Sequence, residues 1–303
     1  MGNSAIAIVG GDLRQICMAN LLAEKTGIGS GASCDLYGLF LDKEMEMSSR
    51  ITATDDVRVL EYCNIVIFAL PMADTGDQTV NAPFSIHKVP LRDCFGHVRP
   101  GALVLGGMVK EKTAQLASEY GLVIEDYFLR EELAVLNAVP TAEGALEIAM
   151  RESPRTIAGS ICMITGYGRI AKALAPLLLS LGAKVKVGAR KHEDLAWSKV
   201  AGCQPVHLSQ LGEQLSDVEI LFNTVPAMIL DKGILKKLPP QCLIIDLASK
   251  PGGVDFETAK TLGLNVVWAL SLPGKVAPIT AGEILLDTIY HILEEKGFII
   301  ESD

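Results

Sequence analysis

A chain of 303 residues is longer than one hydrophobic core of about 150 residues usually serves, so two domains are expected. Hydrophobic residues make up 49% and aromatics 5%, the aliphatic-rich balance that buried parallel strands require. A net charge of −9 with no basic stripe argues against a nucleic-acid partner, and an anionic small ligand would need a local cluster of cations.

The chain opens with "AIAIVGG" (5–11), a buried strand running into a glycine turn, and a helix is expected over about 12–25. Further strands are expected at "CDLYGLFL" (34–41), "IVIFALP" (65–71), "ALVLGG" (102–107) and "LVIEDY" (122–127). "REELAVLNAV" and "TAEGALEIAMRES" then predict helical pieces interrupted at Pro140, because proline disfavours a helical residue before it. The second half repeats the first, with strands at "SICMIT" (160–165), "KVKVGA" (184–189), "EILFNTVP" (219–226), "CLIIDLA" (242–248) and "NVVWAL" (265–270). In the tail, Leu285, Ile289, Ile292 and Leu293 form one helical stripe that must pack on something, and the first domain is the expected support.

Strands alternating with helices imply right-handed βαβ units and parallel sheets covered on both faces. The expected fold is α/β, two tandem doubly wound, Rossmann-like domains with an interdomain cleft for a small ligand. Residues 1–130 would form the substrate-side domain, 131–158 connecting helices, 159–278 the dinucleotide-binding domain, and 279–303 the returning helix.

The seven cysteines are scattered, never spaced C-x-x-C, and read as buried thiols of a reducing cytoplasm. No histidine pair stands at ligand spacing, so no metal is expected. No apolar run reaches the roughly 18 residues of a membrane span, and the start lacks the charged region of a signal peptide. A cytoplasmic protein without membrane contact is expected.

Gly166-Tyr167-Gly168-Arg169-Ile170-Ala171 matches G-x-G-x-x-A. The hexapeptide alone also describes an ordinary turn. Its context is more specific: a strand before it, the amphipathic run "IAKALAPLLLSLG" after it, and a second strand some way on. Gly166 would permit the tight turn, Gly168 would let the backbone approach a pyrophosphate, and Ala171 would let helix and strand pack closely. An NAD site usually ends its second strand in Asp or Glu, whereas this strand ends in Arg190-Lys191, cations suited to a 2′-phosphate. NADP is therefore favoured, with Glu193 and Asp194 near enough to keep NAD open.

"IVGGDLRQ" (8–15) follows a strand in the same way but lacks the second spaced glycine, and Asp12 would repel a pyrophosphate. Asp12 reads as a helix N-cap, and the first domain as the substrate side. At the carboxyl ends of the strands, Thr224, Val225, Pro226 and Ala248 are expected to border the cofactor. Arg14, Lys250 and Lys275 are the cations available to a substrate anion, and Glu143 is the candidate base. Each has an ordinary alternative as a surface or helix-terminus residue.

"IVGGDLRQ", "NAVPTAEGALEIAM", "GYGRIAKALAPLLLSLGAKVKVGAR", "NTVPAMIL", "IDLASKPGGVDF" and "LPGKVAPITAG" together resemble the dipicolinate synthase A-subunit family, over essentially the whole chain and least over 27–60. The plan is also similar, more remotely, to 2-hydroxyacid dehydrogenases. The resemblance implies NADP-linked oxidation of dihydrodipicolinate, or its hydrated tetrahydro precursor, to dipicolinate in the mother-cell cytoplasm of a sporulating bacterium. It implies a partner, the flavoprotein-like B subunit of the synthase. A homo-oligomer is also expected. Lys250 stands where the family pattern has Arg, and Lys275 where an aliphatic residue is usual. Loss of a hydride and a proton makes the ring aromatic, which needs little acid–base assistance and suits a chain without an evident His–carboxylate pair. The alternatives are another dehydrogenase of the hydroxyacid or alanine type and a non-catalytic nucleotide-binding subunit.

Overall fold

A computed structural model describes residues 5–25, 34–41, 47–74, 76 and 78–298. The chain start, Thr75 of the segment after the third expected strand, and the last residues of the tail lie outside the described residues. The chain divides into two compact units, Met1–Ala134 with Ala277–Asp303, and Val135–Val276.

The first unit is built on a parallel sheet of β1 (Ala5–Val9), β2 (Asp35–Leu39), β3 (Ile51–Thr54), β4 (Ile65–Phe68), β5 (Leu103–Gly106) and β6 (Ile124–Asp126), in the order β3-β2-β1-β4-β5-β6. The helices α1 (Leu13–Glu24), α2 (Leu91–Phe95), α3 (Glu111–Glu119) and α4 (Glu131–Leu136) belong to this stretch of chain. Successive side chains of a strand point to opposite faces, and β1 is apolar on both. Ile6 and Ile8 enter one buried cluster, while Ala5, Ala7 and Val9 enter another.

The second unit contains α5 (Ala138–Glu152), β7 (Ile161–Thr165), α6 (Arg169–Ser180), β8 (Lys184–Ala189), α7 (His192–Val200), β9 (Gln204–His207), β10 (Ile220–Asn223), α8 (Lys232–Leu235), β11 (Leu243–Asp246), α9 (Phe256–Thr261), β12 (Asn265–Trp268) and α10 (Leu272–Val276). Its strand order, β12-β11-β10-β7-β8-β9, is the first sheet's order again. Both are therefore doubly wound, and each reverses direction beside its first strand, between β1 and β4 and between β7 and β10. Cys162 and Ile164 of β7 face the cluster that holds α5 and α6, and Met163 faces the other.

Each sheet has one strand that the apolar pattern does not announce. These are β3 (ITAT) and β9 (QPVH), and each lies at an edge. An edge strand is covered on one side only, so it carries exposed polar residues and tolerates a proline such as Pro205. The helical interruption falls at Asn137, not at Pro140. Pro140 lies in the first turn of α5, where its missing N–H has no intrahelical partner to lose. α5 is a core element of the second unit: Gly144 packs against Leu272 and Val276 of α10. The span Glu131–Glu152 reaches the length and mean hydropathy of a membrane-crossing helix, yet Ala142, Ala145, Ile148 and Ala149 are buried in the second unit's core.

The last helix, α11 (Pro278–Glu295), lies in the first unit, with Ile284, Leu285, Ile289, Ile292 and Leu293 buried in the cluster that includes Ile16 and Met18 of α1. The helices touch at Gly282, where a Cβ would stand 2.7 Å from the Cys17 Cβ and 2.9 Å from the Arg14 carbonyl oxygen. Burial pushes the thiols of Cys63, Cys94, Cys162 and Cys242 up to about 12. They are therefore unreactive packing residues.

Gly282→Ala tests the close approach. Alanine favours a helix over glycine by about 1 kcal/mol, but the contact with fixed backbone would force the helices apart at about 1–3 kcal/mol. A net loss of stability is expected in the urea transition of the first unit. An unchanged or more stable variant would show that α1 and α11 separate freely.

Candidate functional site

The β7–α6 turn is set by two glycines with different duties. Gly166 has φ +89°, and a Cβ there would stand 2.5 Å from Thr224 Oγ1 and 3.0 Å from Val225 Cγ2. Gly168 is the N-cap of α6, in extended conformation, and its missing Cβ would meet no protein atom within 4 Å. Gly166 is thus required by the protein's own packing, whereas Gly168 leaves open space on its outer side. No side chain caps α6, and the positive end of its dipole lies at this turn. Ala171 is buried where α6 meets the core, as is Tyr167, while Gly168 and Arg169 are exposed and Ile170 is half-buried.

A buried polar lattice holds the neighbouring strand ends, and the apolar pattern gives no sign of it. The Thr165 hydroxyl donates to Asn223 Oδ1 at 2.7 Å, and Asn223 Nδ2 donates to Asp246 Oδ1 at 2.7 Å. Asp246, with 0% of its surface exposed, also accepts from the N–H of Ala248 at 3.1 Å and of Gly253 at 3.0 Å. Asn223 further grips the Val225 backbone through both its N–H and its carbonyl. Three residues that end β7, β10 and β11 thereby fix the loops carrying Thr224, Val225 and Pro226, and Ala248 and Lys250. Their visible trace in the sequence is one polar residue closing each apolar run: MIT, LFN and IID.

Thr224 also donates its hydroxyl to the Thr165 carbonyl at 2.8 Å, seating this loop on the glycine turn. Lys250 is exposed on a loop whose Gly252 has φ +87° and would carry a Cβ 2.9 Å from Asp246 Oδ2. Lys275 is exposed in α10. Arg190 and Lys191 are exposed at the end of β8, followed by Glu193 and Asp194 in the first turn of α7. Glu143 is not brought to the glycine turn. It is exposed in a shallow groove with Leu146, Met150 and Leu177, and Leu177 lies nine residues, about 13 Å, along α6 from Gly168.

The corresponding turn of the first unit is filled by the chain itself. Gly10 and Gly11 both have positive φ, and the Gly11 N–H donates to the Asn81 carbonyl at 2.8 Å. A Cβ on Gly10 would stand 2.6 Å from Val80 Cγ1 and 2.7 Å from the Asn81 oxygen, so the Val80–Asn81 segment covers the turn. Asp12 caps α1 by accepting from the Arg14 N–H at 3.0 Å. Arg14, 6% exposed, donates through Nε and Nη2 to Asp12 and through Nη2 to the Leu70 carbonyl at 2.8 Å. Its guanidinium is largely committed within the first unit, and Nη1 is the nitrogen left outside this arrangement. Nearby, Gln15 Nε2 and the Tyr127 hydroxyl both donate to the Phe68 carbonyl, a buried arrangement that the sequence does not announce.

Residues 5–128 match the family model for the N-terminal domain of the dipicolinate synthase A subunit. The A subunit of dipicolinate synthase from Bacillus subtilis (strain 168) is 33% identical over 292 residues, covering 96% of each chain. Two solved structures are similar throughout. The A subunit of dipicolinate synthase from Bacillus halodurans has a TM-score of 0.87 at 28% identity, covering 96% of this chain and 97% of that one. The Bacillus subtilis dipicolinate synthase A chain has a TM-score of 0.85 at 32% identity, covering 97% of each. A transhydrogenase from Sinorhizobium meliloti, at 13% identity and a TM-score of 0.71 over 96% of this chain and 94% of that one, shares the fold. With a third of its residues shared along nearly its whole length and both Rossmann-like sheets in common, this chain belongs to the dipicolinate synthase A-subunit family.

Proposed function

We propose that this chain is an NADP-dependent oxidoreductase that converts dihydrodipicolinate to dipicolinate during spore formation, in the mother-cell cytoplasm, together with a B subunit. The observation that carries the reading is the contrast between the two glycine turns. One is capped and covered by its own chain, and the other is open at Gly168 with an uncapped helix behind it. The residues of the second turn fit a dinucleotide: Gly166 to Ile170 would cradle the pyrophosphate, and Thr224, Val225, Pro226 and Ala248 would border the ribose on the nicotinamide side. Arg190 and Lys191 would receive a 2′-phosphate, Arg190 at two points and Lys191 as a point charge.

The bound nicotinamide would supply the two-electron acceptor, while the protein's own residues orient and hold. Asp246, held by the Asn223 side-chain amide, fixes the Lys250 loop by accepting from the backbone N–H groups of Ala248 and Gly253, which leaves the Lys250 ammonium as an exposed cation for a carboxylate of the substrate. Lys275 is a second such cation on the same unit. The substrate of this reading is the dihydropyridine, because its oxidation creates an aromatic ring and asks for little proton transfer. Glu143 would enter only with the hydrated tetrahydro precursor as the feed, as the base that removes water.

Three measurements test the reading. Gly168→Ala is expected to leave stability within about 1 kcal/mol of the parent yet weaken dinucleotide binding at least about tenfold, whereas Gly166→Ala should cost about 2 kcal/mol or more in stability through its positive φ and the Thr224 contact. Equal effects of the two changes would contradict the assigned roles. NADP should bind at least about tenfold more tightly than NAD, with Arg190→Asp removing the difference; equal affinities in the parent chain would end the NADP assignment. Purified chain should form dipicolinate slowly or not at all alone and rapidly with the B subunit, followed by the ultraviolet absorbance of the aromatic product. Failure of both conditions to oxidise dihydrodipicolinate would refute the activity.

A further inference from the structure

A stacked pair of histidines at the end of β8 has no place in the function described so far. The rings of His192 and His207 lie 5.7 Å apart between centroids and 22° from parallel. His207 closes β9 opposite Ala189, and both of its ring nitrogens are engaged. Nε2 is 3.2 Å from the Arg190 carbonyl oxygen, and Nδ1 is 2.7 Å from the Ser209 hydroxyl and 3.3 Å from the Ser209 nitrogen. A carbonyl only accepts and an amide N–H only donates, so this network puts the proton on Nε2 and keeps a lone pair on Nδ1. His207 is thus a fixed ring that also holds the Arg190 backbone. His192, by contrast, is the exposed first residue of α7.

We propose that His192, backed by His207, is a third ligand of the cofactor's 2′-phosphate and thereby a determinant of NADP over NAD; this rests on the NADP reading above. A phosphate monoester presents three acceptor oxygens. Arg190 can satisfy a pair of them and Lys191 supplies a compact charge, which leaves acceptor capacity for an imidazole N–H. His192 follows these two residues directly and is the first residue of α7, at the positive end of that helix's dipole. The acids of the same turn, Glu193 and Asp194, would repel a phosphate, and additional donors from this segment offset them. His207 acts as a positioning residue. Its ring face supports His192 while its Nε2–H holds the Arg190 carbonyl, so both ligands start from one constrained backbone.

Calorimetric titration of the full chain with NADP, NAD, 2′,5′-ADP and 5′-AMP separates the outcomes. His192→Ala should weaken NADP and 2′,5′-ADP about fivefold, the size of a partly exposed charged contact, and leave NAD and 5′-AMP unchanged. His192→Lys should restore the loss, and His207→Phe should move the same two constants in the same direction by less. An equal loss for all four ligands would place the stacked rings under the adenine and overturn the proposal. A parent preference for NADP that His192→Ala leaves intact would overturn it too, while the NADP reading stood. No parent preference at all would defeat that reading and the proposal together.

Discussion

The buried carboxylate of Asp246 is the constraint on which the second unit's site depends. A charge with no exposed surface is tolerated only where donors surround it, and here those donors are one side-chain amide and two backbone N–H groups. The requirement works in both directions. Asp246 needs the chain after β11 to turn back so that Gly253 can reach it, and that return places Lys250 at the outside of the loop. Asn223 needs a donor and an acceptor partner, and it finds them in Asp246, Thr165 and the Val225 backbone. The glycine turn, the Thr224 loop and the Lys250 loop are therefore not separately adjustable.

The same winding occurs twice, and the two copies differ in what covers the first turn of each. Parallel strands end beside helix N-termini, whose free N–H groups and positive dipole end attract anions by themselves. The first unit satisfies its turn internally, with Asp12 supplying the negative charge, Arg14 neutralising it, and the Asn81 carbonyl accepting from Gly11. At the equivalent place in the second unit no side chain caps the helix, and the outer side of Gly168 is open. The two turns differ through a handful of residues: Asp12 against Gly168 at the N-cap, and Val80–Asn81 against open space.

What the sequence reveals and conceals divides along physical lines. Central strands are legible because both faces are buried, so runs such as ICMI and IVIF are apolar without interruption. The spaced glycines are legible because each removes a Cβ at a fixed offset from a strand. The edge strands β3 and β9 are not, since half their residues meet water and obey no apolar rule. Arg14 illustrates a different limit. Its identity and its place on the helix are readable, but its engagement with the Leu70 carbonyl joins residues 56 apart in sequence. Asp246, Asn223 and Thr165 are hidden for the same reason: each looks like the end of a strand until the three ends are brought side by side. Local patterns report what a residue needs from water, whereas these partnerships depend on which strands become neighbours.

Electrostatics then decides where an anion can settle on a chain of net charge −9. At physiological ionic strength fields are screened over about 8 Å, so the overall negative charge matters less at a site than the few charges within that distance. The segment that closes β8 and opens α7 carries Arg190 and Lys191 against Glu193 and Asp194, two cations and two acids by formal charge. A neutral balance does not bind a dianion by charge count. It binds through geometry, if the cations and N–H donors point toward the phosphate and the acids point along the helix away from it. Arg190, Lys191 and His192 are exposed at the start of α7, and Asp194 is half-buried on the same helix. Selectivity at such a place rests on the number of aligned donors, which makes a fixed backbone at Arg190 as consequential as the charge that it carries.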